Sequence, residues 1–255
     1  MLDERIISGV IVADKPAGCT SHDVVSRVKK TLGAKKVGHL GTLDPLATGV
    51  LPLVINGATK YAERLSAGAK TYMAKLKLGE TTDTYDSEGR VQGTGDISSV
   101  SEKDILDALS RFKGAIMQTP PMFSAKKRAG VPLYKLARAG ITVERQPKEV
   151  FISNLDVLNI KPPYVEFTIE CSKGTYVRSI CHDAGISLGC GAHLTGLRRV
   201  KCGVFTEAEA ISPASEVEAL LACVIPLDVA MDRLEPCGET RPRRARRHFR
   251  HRGCI

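Results

Sequence analysis

Between Val37 and Thr59 the chain runs for 23 residues with one charged side chain, Asp44. The carboxylate sits in GHLGTLDPLATGVLPLVI, among Leu, Ala and Val and close to Gly38, Gly41, Pro45 and Gly49. Burying an unpaired carboxylate is costly, because it either shifts its pKa or weakens the fold. Proteins tolerate such groups where they act on a substrate, so Asp44 is a catalytic candidate. The same residues describe an ordinary Asp-Pro turn whose carboxylate caps a backbone N–H. Spacing alone leaves both readings open.

Other chemistry-bearing patterns are weaker. The chain has no Walker A loop, no G-x-G-x-x-G and no H-E-x-x-H. Ser124-Ala-Lys-Lys127 matches S-x-x-K without the S-D-N and K-T-G elements that accompany it, which is best explained as chance. Cys181-His182 with Cys190 and His193 offers zinc ligands at spacings that fit no common pattern. None of the eight cysteines forms C-x-x-C, and they read as small buried hydrophobes with free thiols. No metal and no cofactor is expected.

The elements that must hold Asp44 in place can be read from periodicity. GVIVADKP is a short strand ending in a turn, and Thr20 with Asp23 caps a helix with Val24, Val25, Val28 and Leu32 on one face. After the Asp44 loop, residues 58–66 read as helical, and TYMAKLKLG alternates with Tyr72, Ala74, Leu76 and Leu78 on its buried side. Residues 81–98 read as a polar turn region. Ser101 with Asp104 starts a helix whose inward residues are expected to be Ile105, Leu106, Leu109 and Phe112. A Pro- and Gly-rich loop and a short helix follow, then two alternating strands, 150–160 and 165–171, joined through KPP. Residues 175–184 read as a helix, 193–205 as a strand and 212–231 as a helical stretch. Interspersed helices and strands, with some strands joined by short turns, indicate an α+β fold around a mixed sheet.

Bulk properties limit the partners. At 43% hydrophobic and 25% charged, with no Trp, the 255 residues suit a globular protein with an aliphatic core. The apolar run after Gly49 is broken by Pro52 and is too short to span a membrane, and no signal peptide is visible, so a cytoplasmic location is expected. The net charge is +9, but the last fifteen residues carry seven Arg and no acid, which leaves +2 over residues 1–240. Nucleic-acid contact would have to come from local clusters: Arg27, Lys29, Lys30, Lys35 and Lys36; Lys126, Lys127 and Arg128; Arg198, Arg199 and Lys201. Beyond Arg233 the tail is Arg-rich and too poor in apolar residues to fold.

Four segments resemble one family in their order: GVIVADKPAGCTSHDVV, VGHLGTLDPLATGVLPL, TPPMFSAKKRAGVPLYKLARAG and CSKGTYVRSICHDAG, followed by HLTGLRRVKCGVF. With H-x-G-x-L-D-P and K-G-T-Y-x-R in one chain, residues 8–232 resemble the TruB-type tRNA pseudouridine synthases. The resemblance implies the pseudouridine synthase fold, with a largely antiparallel central sheet and flanking helices and loops. It implies a catalytic domain over residues 1–233, of which 206–233 is a C-terminal helical part, and a tail over 234–255 in place of a complete PUA domain.

It also implies roles. Asp44 would be the nucleophile or base of the isomerisation, and Arg178 the basic partner of that carboxylate. His39 would help open the RNA loop and expel the target base. Tyr72 would stack on the flipped uracil and handle a proton at C5; Tyr176 and Leu197 would line the uracil pocket, with Lys60 in support. The implied substrate is uridine 55 in the T arm of tRNA, acted on by a monomer without cofactor, obligatory protein partner or membrane. Phe123 stands where the family often has Tyr, which removes one hydroxyl from that loop. Two competing readings are a non-catalytic RNA-binding protein and a guide-RNA-dependent relative acting on ribosomal RNA.

Overall fold

The structure, a computed structural model, describes residues 8–128 and 130–234. The chain enters on β1 (Gly9–Lys15), followed by α1 (Ser21–Thr31), which starts at a capping box between Thr20 and Asp23. β2 (Val37–His39) and β3 (Thr48–Ile55) flank the Asp44 loop. A 3-10 turn (Asn56–Tyr61) and α2 (Ala62–Leu65) lead into β4 (Lys70–Leu78). The hairpin β5 (Glu80–Thr82) and β6 (Val91–Thr94) precedes α3 (Glu102–Ser110) and β7 (Gly114–Gln118). A small ribbon, β8 (Lys127–Arg128) and β9 (Val131–Pro132), leads to α4 (Leu133–Arg138). The long hairpin β10 (Lys148–Lys161) and β11 (Tyr164–Cys171) is followed by α5 (Val177–Ser187), β12 (Ala192–Cys202) and β13 (Phe205–Thr206). α6 (Val217–Ala222), β14 (Ile225–Pro226) and α7 (Leu227–Asp232) complete the described chain.

One sheet runs in the order β14-β1-β3-β12-β4-β11-β10-β7, with β13 on β12 and β2 on β3. Its pairs are antiparallel except β3 with β12. That parallel junction brings the start of β3, just after Asp44, against the middle of β12 (Arg198 opposite Thr48). Gly49 makes the junction possible, since a Cβ there would lie 2.3 Å from the Arg199 carbonyl oxygen.

Residue patterning decides which face is covered. β1 and β3 are apolar almost throughout and are buried on both faces, whereas β4 and β11 alternate and bury one. The main core joins the buried face of β4 and β11 to Val24, Val25, Val28 and Leu32 of α1, Ile105 and Leu109 of α3, and Ile180 and Ala184 of α5. A second cluster, with Val10, Val12, Val50, Val54, Phe205 and Ala230, seals the other face of β1 and β3.

Three local expectations are corrected. The polar region 81–98 is not only turn but holds the β5–β6 hairpin. Leu106 is exposed, because the buried stripe of α3 runs through Ile105, Ala108 and Leu109. The stretch 212–231 is two short helices broken by β14, whose Ile225 and Pro226 pair with β1. Sheet pairing there outweighs a helical pattern that spacing alone favours. No helix among the described residues is long and apolar enough to cross a membrane. Residues 235–255, including the Arg-rich run, Cys237 and Cys254, lie outside the described residues.

Candidate active site

Asp44 sits in a tight turn, with the Ala47 N–H donating to the Asp44 carbonyl at 3.0 Å. The turn reading and the catalytic reading are thus both realised, by different atoms. The backbone makes the turn, and the carboxylate leaves it to meet Arg178, with Arg178 Nε 2.9 Å from Asp44 Oδ2.

The loop is held from three sides. Ser21 on α1 exchanges two bonds with Leu43, its Oγ accepting from the amide at 2.8 Å and donating to the carbonyl at 3.0 Å. Lys15, at the end of β1 and fully buried, donates to the carbonyls of Pro16 (2.9 Å), Pro45 (3.2 Å) and Ala47 (2.7 Å). Burial lowers the Lys15 pKa. From β12, Arg199 donates to Val50 O at 2.7 Å and Gly41 O at 3.1 Å. Neither Lys15 nor Arg199 was visible as a site residue. Lys15 reads as the last residue of a strand, and Arg199 as one of three surface cations. In the structure Arg199 is buried beneath the His39–Leu43 segment, and Arg198 is paired with Asp14 and Glu207. Of that cluster Lys201 is exposed and Arg198 partly exposed but ion-paired, so it presents fewer free cations than the run suggests.

Arg178 lies in the first turn of α5, and its side chain is 4% exposed. Besides Asp44 it reaches Asp86 (Nη1 to Oδ2, 3.3 Å), the Thr84 carbonyl (2.8 Å) and the Phe123 carbonyl (2.8 Å). A planar guanidinium with five donors is suited to four acceptors spread around it. Asp86 is buried, and its Oδ1 accepts from Thr84 Oγ1 at 2.6 Å and the Glu88 amide at 3.1 Å. The sequence gives little sign of this second carboxylate, which lies in a stretch rich in polar residues.

These groups line a cavity of about 560 Å³. His39, Asp44, Tyr72, Tyr176, Arg178 and Leu197 all face it. Lys60 does not: the 3-10 turn buries Ala58 and leaves Lys60 exposed, away from the cavity lining. Tyr176 caps the N-terminus of α5 rather than lying inside it. Its backbone is clamped by the buried Gln118 of β7, which accepts from the Tyr176 amide at 2.7 Å and donates to its carbonyl at 3.0 Å. Ser124, at the cavity wall, is buried and its hydroxyl has no hydrogen-bond partner.

Electrostatics follow from this enclosure. Burial pushes the Asp44 pKa up; the Arg178 guanidinium opposes that shift, Asp86 reinforces it and Lys15 opposes it. The net direction is upward, although 36% of the Asp44 side-chain surface remains exposed at the cavity wall. Burial likewise pushes the Tyr72 phenol up to about 12, against the pull of Arg199, its cross-strand neighbour. Tyr72 is a neutral donor at neutral pH. The His39 pKa is lowered by burial and by Arg199, and its Nδ1 accepts from the Gly41 amide at 3.4 Å. The imidazole is thus neutral, with its proton on Nε2. No group of three or more His, Cys, Asp or Glu among the described residues could hold a metal ion. Cys181, Cys190 and His193 are buried apart from one another as core residues of α5, the following turn and β12.

Comparison with known proteins adds to this geometry. The sequence profile described as "TruB family pseudouridylate synthase (N terminal domain)" matches residues 29–177. The profile described as "tRNA pseudouridylate synthase B C-terminal domain" matches residues 178–232. The chain is 49% identical to the tRNA pseudouridine synthase B of Syntrophotalea carbinolica over 206 residues, 81% of this chain and 67% of that protein. It is 46% identical to that of Clostridium tetani over 230 residues, 90% of this chain and 80% of that protein. Among solved structures, one of a Cbf5–Nop10–Gar1 complex aligns with a TM-score of 0.71 at 32% identity, over 89% of this chain and 63% of that one. An H/ACA ribonucleoprotein bound to a substrate RNA containing 2'-deoxyuridine aligns at 0.67 and 29%, over 91% of this chain and 63% of that one.

Proposed function

This chain belongs to the TruB family of pseudouridylate synthases, and we propose that it isomerises uridine 55 in the T loop of tRNA after flipping that base onto Asp44. The observation that carries this reading is the 2.9 Å contact between Asp44 and Arg178 on the wall of a mostly apolar cavity. The reaction breaks the N1–C1' bond, turns the uracil while it stays bound, and joins C5 to C1'; the C5 proton is lost and N1 gains one. A hydrolase at the same bond needs a second carboxyl group to activate water. Here water would divert the product, and one carboxylate in a mostly apolar pocket suffices. Attack on the sugar and abstraction of a sugar proton are both open to Asp44, and both require it ionised.

The other residues have matching parts. A flipped base costs a few kcal/mol to extract, less from a loop than from a duplex. Stacking on an aromatic returns about 1–3 kcal/mol per base, which Tyr72 supplies from the buried face of β4. As a neutral phenol, Tyr72 serves at C5 as a relay, its oxygen taking up the proton that C5 gives up as its own O–H proton is passed on. The neutral His39 wedges into the opened loop, and Tyr176 and Leu197 flank the uracil. The exposed cations of 27–36 and 126–128 meet the tRNA backbone. The protein acts as a cytoplasmic monomer.

An unmodified T-arm stem-loop carrying tritium at C5 of the target uridine tests this reading. Tritium release with pseudouridine at that position is expected, and its absence would overturn the proposal. The non-catalytic RNA-binding alternative gives binding without release. The pH profile is a second check. The acid limb of kcat/KM should lie above the ordinary Asp value near 4, because burial raises Asp44. Activity is present above that limb and lost as pH falls through it. Asp86→Asn should move the limb down, since Asp86 contributes to the rise.

A further inference from the structure

Tyr85 has φ of +64°. Glycine adopts this left-handed conformation freely, whereas a bulky side chain occupies it only when its surroundings impose it. The loop's backbone bonds tie it to β12, with Leu194 N–H donating to Tyr85 O at 3.0 Å and Ser87 N–H to Leu194 O at 2.9 Å. Those bonds would serve equally with a glycine at position 85. What needs a tyrosine lies on α5. In extended chain, successive side chains point to opposite sides; the left-handed step lets Tyr85 and Asp86 both reach that helix. Asp86 meets Arg178 at 3.3 Å, and the Tyr85 ring stacks on His182 with centroids 3.8 Å apart and planes 12° from parallel. Arg178 and His182 are four residues apart and so share one face of α5. The His182 Nδ1 is buried without a hydrogen-bond partner. Burial lowers the pKa of this ring, so it meets Tyr85 as a neutral, flat surface.

We propose that the Tyr85–His182 stack is a positioning pair that seats residues 82–88 on α5, so that Asp86 holds the Arg178 guanidinium against Asp44. This rests on the reading of Asp44 as the catalytic carboxylate. Neither aromatic faces the cavity, so both act through Asp86 and Arg178.

The test is a double-mutant cycle with two conservative controls. Tyr85→Gly and His182→Ala should each lower kcat about 10- to 100-fold, the penalty of a small misplacement, with KM little changed. The double variant should be no worse than the poorer single one, because either change removes the same stack. Tyr85→Phe and His182→Phe keep two stacked rings and should stay near wild type. Tyr85→Gly also relieves the backbone, so its Tm should not fall, which separates positioning from unfolding. A readout without substrate is the Arg178 Nε–H resonance, expected to be slow-exchanging in wild type and Tyr85→Phe and fast-exchanging in Tyr85→Gly. Multiplicative losses, full kcat in Tyr85→Gly, a loss confined to KM, or an unmoved Arg178 resonance would each overturn the pairing. If wild type makes no pseudouridine while the resonance responds as stated, the reaction assignment fails and the positioning pair stands.

Discussion

Asp44→Asn is expected to yield a folded protein that still binds T-arm RNA and whose turnover falls at least about 10⁴-fold, the scale seen when a sole reacting group is removed. The same substitution should leave Tm unchanged or raise it. Enclosure raises the Asp44 pKa, so the native state binds this proton more tightly than the unfolded chain does. Stability therefore falls as pH rises from the unfolded value to the raised native one, and above that window the ionised carboxylate is a net burden. Asparagine keeps the shape without the charge. Arg178 does not become an orphan, since Asp86 and two carbonyls remain around it. Activity and stability moving in opposite directions is the signature of a charge kept for chemistry. Thermal melts and single-turnover assays at pH 7 check both halves.

Arg178→Met is expected to have the largest combined effect. Turnover should collapse while RNA affinity changes little, because the side chain faces Asp44 and the loop carbonyls more than the cavity mouth. Stability should fall too, by about 3–5 kcal/mol, the range for breaking a buried ion pair by removing one partner. The loss arises because Asp86, 4% exposed at its side chain, is left facing Asp44 without a cation. Adding Asp86→Asn to Arg178→Met should recover much of the stability and none of the turnover. Arg178→Lys should rescue little, since a point charge cannot reach four acceptors that a planar fork serves together. Denaturant melts of the single and double variants, with turnover measured beside them, decide this.

What could be read from the chain and what could not divides along sequence distance. The capping boxes at Thr20–Asp23 and Ser101–Asp104, the alternation of β4 and the two strands joined through KPP are local patterns, and the structure contains each of them. Asp44 stood out because its charge is alone in an apolar stretch, yet that pattern was equally a turn, and only its place in H-x-G-x-L-D-P pointed to catalysis. Arg178 was legible only through K-G-T-Y-x-R, since nothing local distinguishes it from a surface cation. Lys15, Asp86, Gln118 and Arg199 had no such signal. Their bonds to the site cross 32, 92, 58 and 149 residues of chain, and a charge run such as Arg198-Arg199 looks the same whether it faces solvent or carbonyls. Lys60 shows the converse, a position the resemblance implied that lies exposed on the 3-10 turn and does not line the cavity. The break at β14 was hidden because pairing with β1, over 200 residues earlier, decides it.

At the centre of the proposed reaction, one ionised carboxylate, paired with Arg178 on the cavity wall, isomerises the base without releasing it. Product analysis of one reaction, wild type and Asp44→Asn side by side on an unmodified T-arm stem-loop, tests this most directly. Wild type should convert the T-loop uridine to pseudouridine with no free uracil, and Asp44→Asn should leave it as uridine. Free uracil with an abasic site in the wild-type reaction, or pseudouridine formed by Asp44→Asn, would contradict it.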